Sequence, residues 1–130
     1  MTEQRPRIVI ADGDDDIRRL MVIAAARAGV DVVVAADNGK SALDAVLAGG
    51  VDLVVLDISM PGMNGIEVAR AIRADATAQS ALILMISASV QLLTDEGEVA
   101  ELSDGFIIKP FSPKVLTACI REMLAMEVAS

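Results

Sequence analysis

The sequence predicts an α/β fold in which one parallel sheet of five strands is covered by helices on both faces. Short apolar runs alternate along the chain with segments whose apolar residues recur at helical spacing. The composition is 54% hydrophobic but only 2% aromatic, so aliphatic side chains and methionine must build the core. A chain of 130 residues has the size of one domain, and we expect a single domain over 1–130 with a core of about 7–126.

The first part of the chain contains three predicted strands and three predicted helices. The first helix opens at the acidic run 14–16 and is closed by Gly29, a residue suited to a left-handed helix end. Asn38 and Gly39 indicate a turn, and the run 53–56 is apolar on both faces, as expected of a central strand. The strands are predicted at 7–11, 31–35 and 53–56, and the second and third helices at 41–47 and 65–73.

The second part of the chain has two predicted strands, at 82–86 and 106–108, and a last helix that starts at Ser112 with Pro113 in its first turn. The stretch 89–104 between the strands is the weakest helical pattern. Gly97 interrupts it, and Asp95 with Glu98 resembles a capping box that would start the helix late. We therefore expect a short or irregular fourth helix.

Charge and composition exclude several classes of function. The chain has 19 acidic and 11 basic residues, so its surface should repel nucleic acid and anionic membranes. It contains no histidine, which excludes a Ser-His-Asp triad and a histidine-ligated zinc site. Cys119 is the only cysteine, and its apolar surroundings in sequence predict a buried core thiol. Without a signal peptide or membrane-spanning stretch, we expect a cytoplasmic protein.

Four predicted strands are followed by, or end in, a polar residue, and these residues are Asp12, Asp57, Ser87 and Lys109. Ligands of open α/β sheets bind beyond the carboxyl ends of the strands, so the four side chains should share one crevice. Two neighbouring carboxylates repel each other unless a cation joins them, and hard oxygen ligands favour Mg²⁺. A hydroxyl and an ammonium group add partners for phosphoryl oxygens. The set predicts phosphoryl transfer onto an aspartate.

These residues lie in motifs that resemble the receiver domains of two-component response regulators, especially the stand-alone chemotaxis type. The motifs are IVIAD at 8–12, LVVLDISMPGMNG at 53–65, SA at 87–88 and KPF at 109–111. The long middle motif is highly specific, and the order and spacing of all four cover nearly the whole chain. The resemblance implies a doubly wound, flavodoxin-like (βα)5 fold with strand order 2-1-3-4-5.

The resemblance also implies a role for each residue. Asp57 would accept a phosphoryl group from a histidine kinase, and Mg²⁺ would be held by Asp57, the carbonyl of Ser59 and an acid after the first strand. Ser87 and Lys109 would contact the phosphoryl oxygens, and the Lys109–Pro110 peptide bond would be cis. Phe106 would be an aromatic that changes rotamer on activation, although a fixed core position is as good an interpretation of Phe106.

The chain departs from the family pattern at Gly13, where the family usually has a second acid that binds the metal directly. Asp12 stays acidic, although it could instead be a helix N-cap. Asp14, one residue further on, could substitute directly or through water, although a favourable interaction with the dipole of the first helix is its more ordinary role. Mg²⁺ should therefore bind, but more weakly than in a typical receiver. Leu102 and Ser103 also replace residues that are commonly small, which puts the surface of the fourth helix in doubt as a partner face.

Three functions are compatible with parts of the sequence. The first is a receiver whose output is the binding of a downstream protein, because the sequence given ends after the fifth predicted helix. The second is an atypical receiver that has lost phosphorylation and acts as a protein-binding scaffold, which Gly13 favours. The third is a haloacid-dehalogenase-type phosphatase, since Asp12-Gly13-Asp14 matches its Asp-x-Asp step, but Asp16 stands where that family expects threonine. We favour the first.

Overall fold

A computed structural model describes residues 5–89 and 98–125. Strands and helices alternate along the chain, as the sequence pattern predicts. The strands are β1 (Arg7–Ala11), β2 (Asp31–Ala36), β3 (Leu53–Asp57), β4 (Leu82–Ser87) and β5 (Gly105–Ile108). The helices are α1 (Asp15–Ala28), α2 (Gly39–Leu47), α3 (Gly65–Ala74), α4 (Glu98–Leu102) and α5 (Pro113–Met123).

All neighbouring strands pair in parallel, in the order β2-β1-β3-β4-β5. The fold class and the strand order implied by the family resemblance are therefore confirmed. The central strand β3 is buried along its whole length, because it pairs with β1 on one side and β4 on the other. From β1 the chain continues to β2 on one side of β1, and from β2 it crosses to β3 on the other side. The strand order therefore reverses between β1 and β3, which is the switch point of the sheet.

Two apolar layers cover the two faces of the sheet, since successive strand residues point to opposite sides. Alternate residues Val9 and Ala11 of β1 pack towards α2, α3 and α4. Ile8 and Ile10 pack towards α1 and α5. Burial of aliphatic side chains on both faces holds the sheet in place and leaves its carboxyl edge for polar groups.

Helix ends follow the capping patterns of the sequence, with two corrections. The N-cap of α1 is Asp14 and not Asp12, since the Asp14 side chain accepts from the backbone N–H groups of Asp16 and Ile17, and Gly29 ends the helix at φ 83° as predicted. The predicted turn at Asn38–Gly39 is wrong. Asn38 is the N-cap of α2, so Gly39 is the first residue of a helix that begins two residues before the predicted start at Ser41.

The fourth helix is short in the part of the chain that the structure describes, because α4 spans only Glu98–Leu102. Its proposed capping residue Asp95 and the glycine at 97 lie outside the described residues. The last helix α5 is capped by the Ser112 hydroxyl with Pro113 in its first turn, as predicted. Among residues 5–89 and 98–125, no helix is long and apolar enough to cross a membrane.

Candidate functional site

The carboxyl ends of β1, β3, β4 and β5 bring the predicted polar residues to one edge of the sheet. Asp57 and Ser87 are the last residues of β3 and β4, and Asp12 and Lys109 directly follow β1 and β5. The side chains of Asp12, Asp57 and Ser87 are buried, at 0%, 4% and 2% residue exposure. Buried polar side chains are costly unless paired, so their gathering here requires an explanation beyond folding.

Lys109 joins the two acids. Its Nζ lies 3.0 Å from Oδ2 of Asp12 and 3.3 Å from Oδ2 of Asp57, and its side chain is 16% exposed. The ammonium group reaches these acids across the end of β4, and the Lys109–Pro110 peptide bond is cis, as the resemblance implies. One positive charge thus lies between two buried negative charges.

Asp12 is held firmly except at one oxygen. Its N–H donates to Ala36 O at 3.1 Å, and its Oδ1 accepts from the N–H of Asp14 at 2.8 Å. Its Oδ2 is buried and has no partner with hydrogen-bond geometry among the described residues, although Lys109 lies nearby. A buried carboxylate oxygen without a full complement of donors is a position where a cation fits.

Asp57 lies in an environment that disfavours its charge. Burial raises its pKa above the ordinary value, and the negative charge of Asp12 raises it further. The Lys109 ammonium and the N–H of Ser59, which donates to Oδ1 at 3.3 Å, lower the pKa but do not cancel the rise. The charged form of Asp57 would therefore be stabilised by a cation or an electrophile that binds its carboxylate.

The pKa of Lys109 is raised overall. Burial alone lowers it, but the close contact of the ammonium with the Asp12 carboxylate and the charges of Asp57 and Asp12 outweigh that effect. Lys109 is consequently a permanent cation at physiological pH. Ser87 lies next to it, because the backbone N–H of Lys109 donates to Ser87 O at 2.9 Å, and Ser87 Oγ accepts from the N–H of Ser89 at 3.0 Å.

Two predicted metal ligands are less engaged with this cluster. Asp14 is exposed and its Oδ1 caps α1 by accepting from two backbone N–H groups. Ser59 is exposed in the loop after β3 and donates its N–H to Asp57. Within the described residues no group of three acidic or cysteine side chains lies close enough to form a metal cluster by itself. The acids that the structure brings together are Asp12 and Asp57.

The loop 58–64 after β3, which we call the β3–α3 loop, is positioned by glycines that the sequence reasoning missed. A β-carbon at Gly65 would lie 2.6 Å from Asp57 O, and a β-carbon at Gly39 would overlap the carbonyl oxygen of Met63. Both glycines therefore let helix ends approach this loop closely. In the sequence, the Asn64-x-x-Glu67 spacing indicates the end of this loop, because these two residues form a capping box at the start of α3.

Two further expectations concerned Phe106 and Cys119. Phe106 is 48% exposed on β5, so its interpretation as a fixed core residue is wrong. Cys119 is half-buried rather than fully buried, and burial followed by the charge of Glu122 raises the pKa of its thiol. A raised thiol pKa agrees with an unreactive side chain.

Comparison with known proteins places this architecture in a family. Residues 8–121 match the family described as "Response regulator receiver domain". The chain is 36% identical over 124 residues to the DNA-binding response regulator MtrA of Mycolicibacterium smegmatis, which covers 95% of this chain and 53% of MtrA. It is also 31% identical to the chemotaxis protein CheY of Pseudomonas aeruginosa, covering 90% of this chain and 94% of CheY.

The chain belongs to the receiver domains of response regulators, and it therefore belongs to two-component signalling. It spans about half the length of the MtrA relatives that it matches. Members of this family receive phosphoryl groups from histidine kinases and typically bind Mg²⁺.

Solved structures agree with the family assignment. CheY4 of Vibrio cholerae superposes with a TM-score of 0.82 at 25% identity, covering 92% of this chain and 98% of CheY4. The response regulator TrrA of Thermotoga maritima, described in complex with Mg²⁺ and BeF, gives a TM-score of 0.79 at 30% identity, with 91% and 98% of the two chains covered.

Proposed function

We propose that Asp57 is the phosphoryl acceptor of this receiver, with Asp12, Ser87 and Lys109 as its working partners. The observation that carries the proposal is the buried pair of acids with one ammonium between them, 3.0 Å from Asp12 and 3.3 Å from Asp57. A structural ion pair needs only one acid. The second acid raises the pKa of Asp57 and has an oxygen without a hydrogen-bond partner, which favours a site built for an incoming ligand.

The chemistry of the transfer is a displacement at phosphorus. An oxygen of the Asp57 carboxylate forms a bond to the phosphorus, the bond from phosphorus to the donor nitrogen of a phosphohistidine breaks, and that nitrogen keeps the electron pair and is reprotonated. Lys109 neutralises charge on the phosphoryl oxygens. The Ser87 hydroxyl, which accepts from the N–H of Ser89, donates its own hydrogen to the phosphoryl oxygens. Asp12 stays in place through its bonds to Ala36 and Asp14.

Mg²⁺ fits the residues present, because Oδ2 of Asp12 and the Asp57 carboxylate are hard oxygen ligands that share a single ammonium group. Oδ2 of Asp12 is buried and has no partner with hydrogen-bond geometry among the described residues. Mg²⁺ commonly takes one or two carboxylates from the protein and keeps several waters. Asp12, Asp57 and the Ser59 carbonyl would hold it, and Asp14, the N-cap of α1, is a further candidate ligand directly or through water. When bound, Mg²⁺ would supply positive charge that offsets the repulsion between the acids and the phosphoryl group.

The partners follow from this proposal. The phosphodonor is a histidine kinase, and the output is the binding of a downstream protein by the phosphorylated domain. The net charge of −8 makes nucleic acid and anionic membranes poor partners for this domain itself. The cytoplasmic location and the single domain over 1–130 stay predictions of the sequence.

The test is the intact mass of the protein before and after incubation with acetyl phosphate and Mg²⁺. The wild type should gain one phosphoryl group, because the site itself promotes transfer from a small donor. Asp57→Asn should abolish the gain, and Asp31→Asn, which removes an exposed acid, should leave it unchanged. Chelation of Mg²⁺ should slow the gain at least about a hundredfold.

An unchanged mass gain in Asp57→Asn would show that another residue is the acceptor. No gain in the wild type, together with no Mg²⁺ binding at millimolar concentrations, would instead favour the constitutive protein-binding scaffold. These two outcomes are distinct, so the assignment of the acceptor and the capacity for phosphorylation are tested separately.

A further inference from the structure

The side chain of Arg18 contacts the main chain of Asp12, one of the site residues. Arg18 lies in α1 with its side chain 20% exposed, and its Nη1 donates to the main-chain oxygen of Asp12 at 2.9 Å. Its Nη2 forms an ion pair with Oδ1 of Asp15 at 2.5 Å. One guanidinium group therefore bridges the residue that directly follows β1 and the residue that begins α1.

The carbonyl that Arg18 binds lies just beyond the strand pairing. The registers of β1 with β2 and with β3 both end at Ala11. Asp12 keeps one main-chain bond, from its N–H to Ala36 O, but its carbonyl lies past the paired residues. A buried carbonyl at a strand end needs a donor, and a guanidinium nitrogen provides a charge-assisted one.

Gly13 makes this contact more important. The residue after Asp12 has no side chain, so it contributes no side-chain packing and no side-chain hydrogen bond that could fix the segment between β1 and α1. Glycine also allows a wider range of backbone conformations than any other residue. The orientation of the Asp12 peptide group therefore depends on contacts from outside the loop, and Arg18 supplies one at the carbonyl itself.

We propose that Arg18 is a positioning residue that holds Asp12 in place for the cation, by binding its main-chain carbonyl and anchoring to Asp15. This inference rests on the proposed function, since it concerns the residue proposed to bind Mg²⁺. Arg18 does not contact the phosphoryl group or the cation, and it acts only through the backbone of Asp12.

The neighbouring Arg19 provides a matched control. It carries the same charge on the same helix, but its side chain is 71% exposed and its ion pair with Asp16 is 3.4 Å long. Arg18→Met and Arg19→Met therefore remove equal charge from adjacent positions, and only Arg18→Met removes the bond to Asp12.

The two effects of removing Arg18 have opposite signs for cation binding. Loss of a positive charge near an acidic site strengthens the binding of Mg²⁺ by electrostatics alone. Loss of the positioning contact weakens it, because Asp12 is released from its geometry. A weakened affinity in Arg18→Met therefore cannot be produced by the change of charge.

The first measurement needs no metal. Amide hydrogen exchange by NMR should show that the N–H of Asp14, which donates to Oδ1 of Asp12, exchanges about tenfold faster in Arg18→Met, the scale of one lost hydrogen bond. Exchange at Val55 in the central strand should be unchanged, which reports an intact fold. Arg19→Met should match the wild type, and Arg18→Lys should lie between. Unchanged exchange at Asp14 in Arg18→Met overturns the proposal.

The second measurement is a Mg²⁺ titration followed by NMR. Arg18→Met should bind Mg²⁺ about tenfold more weakly than the wild type, as loss of an outer contact to a ligand commonly does. Arg19→Met should bind equally well or slightly better. Equal or tighter binding by Arg18→Met overturns the proposal. If the wild type binds no Mg²⁺, the metal part of the proposed function fails, and the exchange of Asp14 still decides the role of Arg18.

Discussion

The two ends of the sheet differ in how completely their charged side chains are paired. At the amino end, Arg73 of α3 extends between the segments that lead into β4 and β5. Every one of its contacts is a short hydrogen bond, 2.7–3.0 Å long. The acceptors are the carbonyl oxygens of Leu102, Gln79 and Ala81 and the carboxylate of Asp104.

Asp104 completes this network. Its Oδ2 accepts from Arg73 at 2.7 Å and from the N–H of Ile83 at 2.9 Å, and its own N–H donates to Ile83 O at 2.8 Å. The acid and the base thus satisfy each other and the backbone around them. An arrangement of this kind joins three segments, and none of its buried polar side-chain atoms lacks a hydrogen-bond partner among the described residues.

The carboxyl end has one more negative than positive charge in its buried cluster. Lys109 is shared by Asp12 and Asp57, the pKa of Asp57 is raised by burial and then by Asp12, and Oδ2 of Asp12 has no hydrogen-bond partner in the part of the chain that the structure describes. The difference teaches that burial of charge alone does not mark a functional site. Incomplete pairing of the charge does.

Arg73→Met should give the largest loss of stability. It leaves three carbonyl oxygens and Asp104 without their donors, which predicts a loss of about 2–4 kcal/mol in the free energy of unfolding. Arg70→Met is the control, because Arg70 is 56% exposed and its pair with Glu98 should contribute about 0–1 kcal/mol. Denaturant unfolding followed by circular dichroism measures both. Equal losses in the two variants would contradict a structural role for the amino-end network.

Gly65→Ala should act at the other end, on the backbone of the acceptor. Its β-carbon would lie 2.6 Å from Asp57 O and 2.9 Å from Ile58 Cα, so the β3–α3 loop must shift. We expect a loss of about 1–3 kcal/mol in stability and a slower mass gain with acetyl phosphate. Gly105→Ala is the matched control, since its nearest neighbour would be the flexible side chain of Met123 at 3.4 Å. A phosphorylation rate that Gly65→Ala leaves unchanged would argue against positioning of Asp57 by this glycine.

The sequence predicts the carboxyl end of the sheet far better than the amino end. Asp12, Asp57, Ser87 and Lys109 were found because each follows or ends an apolar strand, and topology then brings strand ends together. The sheet order came from the family resemblance. Strand bounds were correct to within one residue, since alternating and continuous apolar runs depend on local burial.

The amino-end network could not be predicted from sequence in the same way. Arg73 lies near the end of an amphipathic helix, where arginine is ordinarily exposed to solvent, and three of its partners are backbone carbonyls that carry no residue signature. The start of α2 was missed for a related reason. Asn38-Gly39 is typical of a turn, and only the packing of Gly39 against Met63 shows why a helix begins there.

Gly13→Asp adds an acid to the incompletely paired end and should tighten Mg²⁺ binding by about tenfold, or 1.4 kcal/mol. The site can accommodate the change with a small adjustment, because a β-carbon at Gly13 would lie 3.3 Å from Pro61 Cδ and 3.8 Å from Asp37 O. Gly13→Ala is the control for the added carbon atom and should leave the affinity unchanged. An unchanged affinity in Gly13→Asp would show that position 13 does not correspond to the family's direct metal ligand.

Asp14→Ala separates the two roles open to Asp14. As the N-cap of α1, Asp14 accepts from two backbone N–H groups, and its loss should reduce stability by about 1 kcal/mol. If Asp14 also fills the place of the missing acid, the same variant weakens Mg²⁺ binding in the titration. A loss of stability with an unchanged Mg²⁺ affinity assigns Asp14 to capping alone.

Asp57→Asn should have a small effect on stability, of the opposite sign to that of Arg73→Met. The folded state raises the pKa of Asp57 above 3.8, through burial first and the charge of Asp12 second, so the fold favours the neutral acid. The stability that Asp57 contributes is therefore fully present below pH 3.8 and is lost as the pH rises through its folded pKa. Asparagine resembles the neutral acid at every pH, so at pH 7 the variant should melt on the order of a few degrees above the wild type.

The pH dependence distinguishes this cause from better packing. The gain in melting temperature should shrink as the pH is lowered through the raised pKa of Asp57, because the wild-type carboxylate then becomes neutral as well. Asp31→Asn, which removes the same charge from an exposed position, should show no comparable gain. Because the chain has no tryptophan or tyrosine, circular dichroism is the suitable probe of melting. A gain independent of pH, or a loss of stability at pH 7, would mean that Lys109 compensates both acids fully and that the two ends of the sheet are equally well paired.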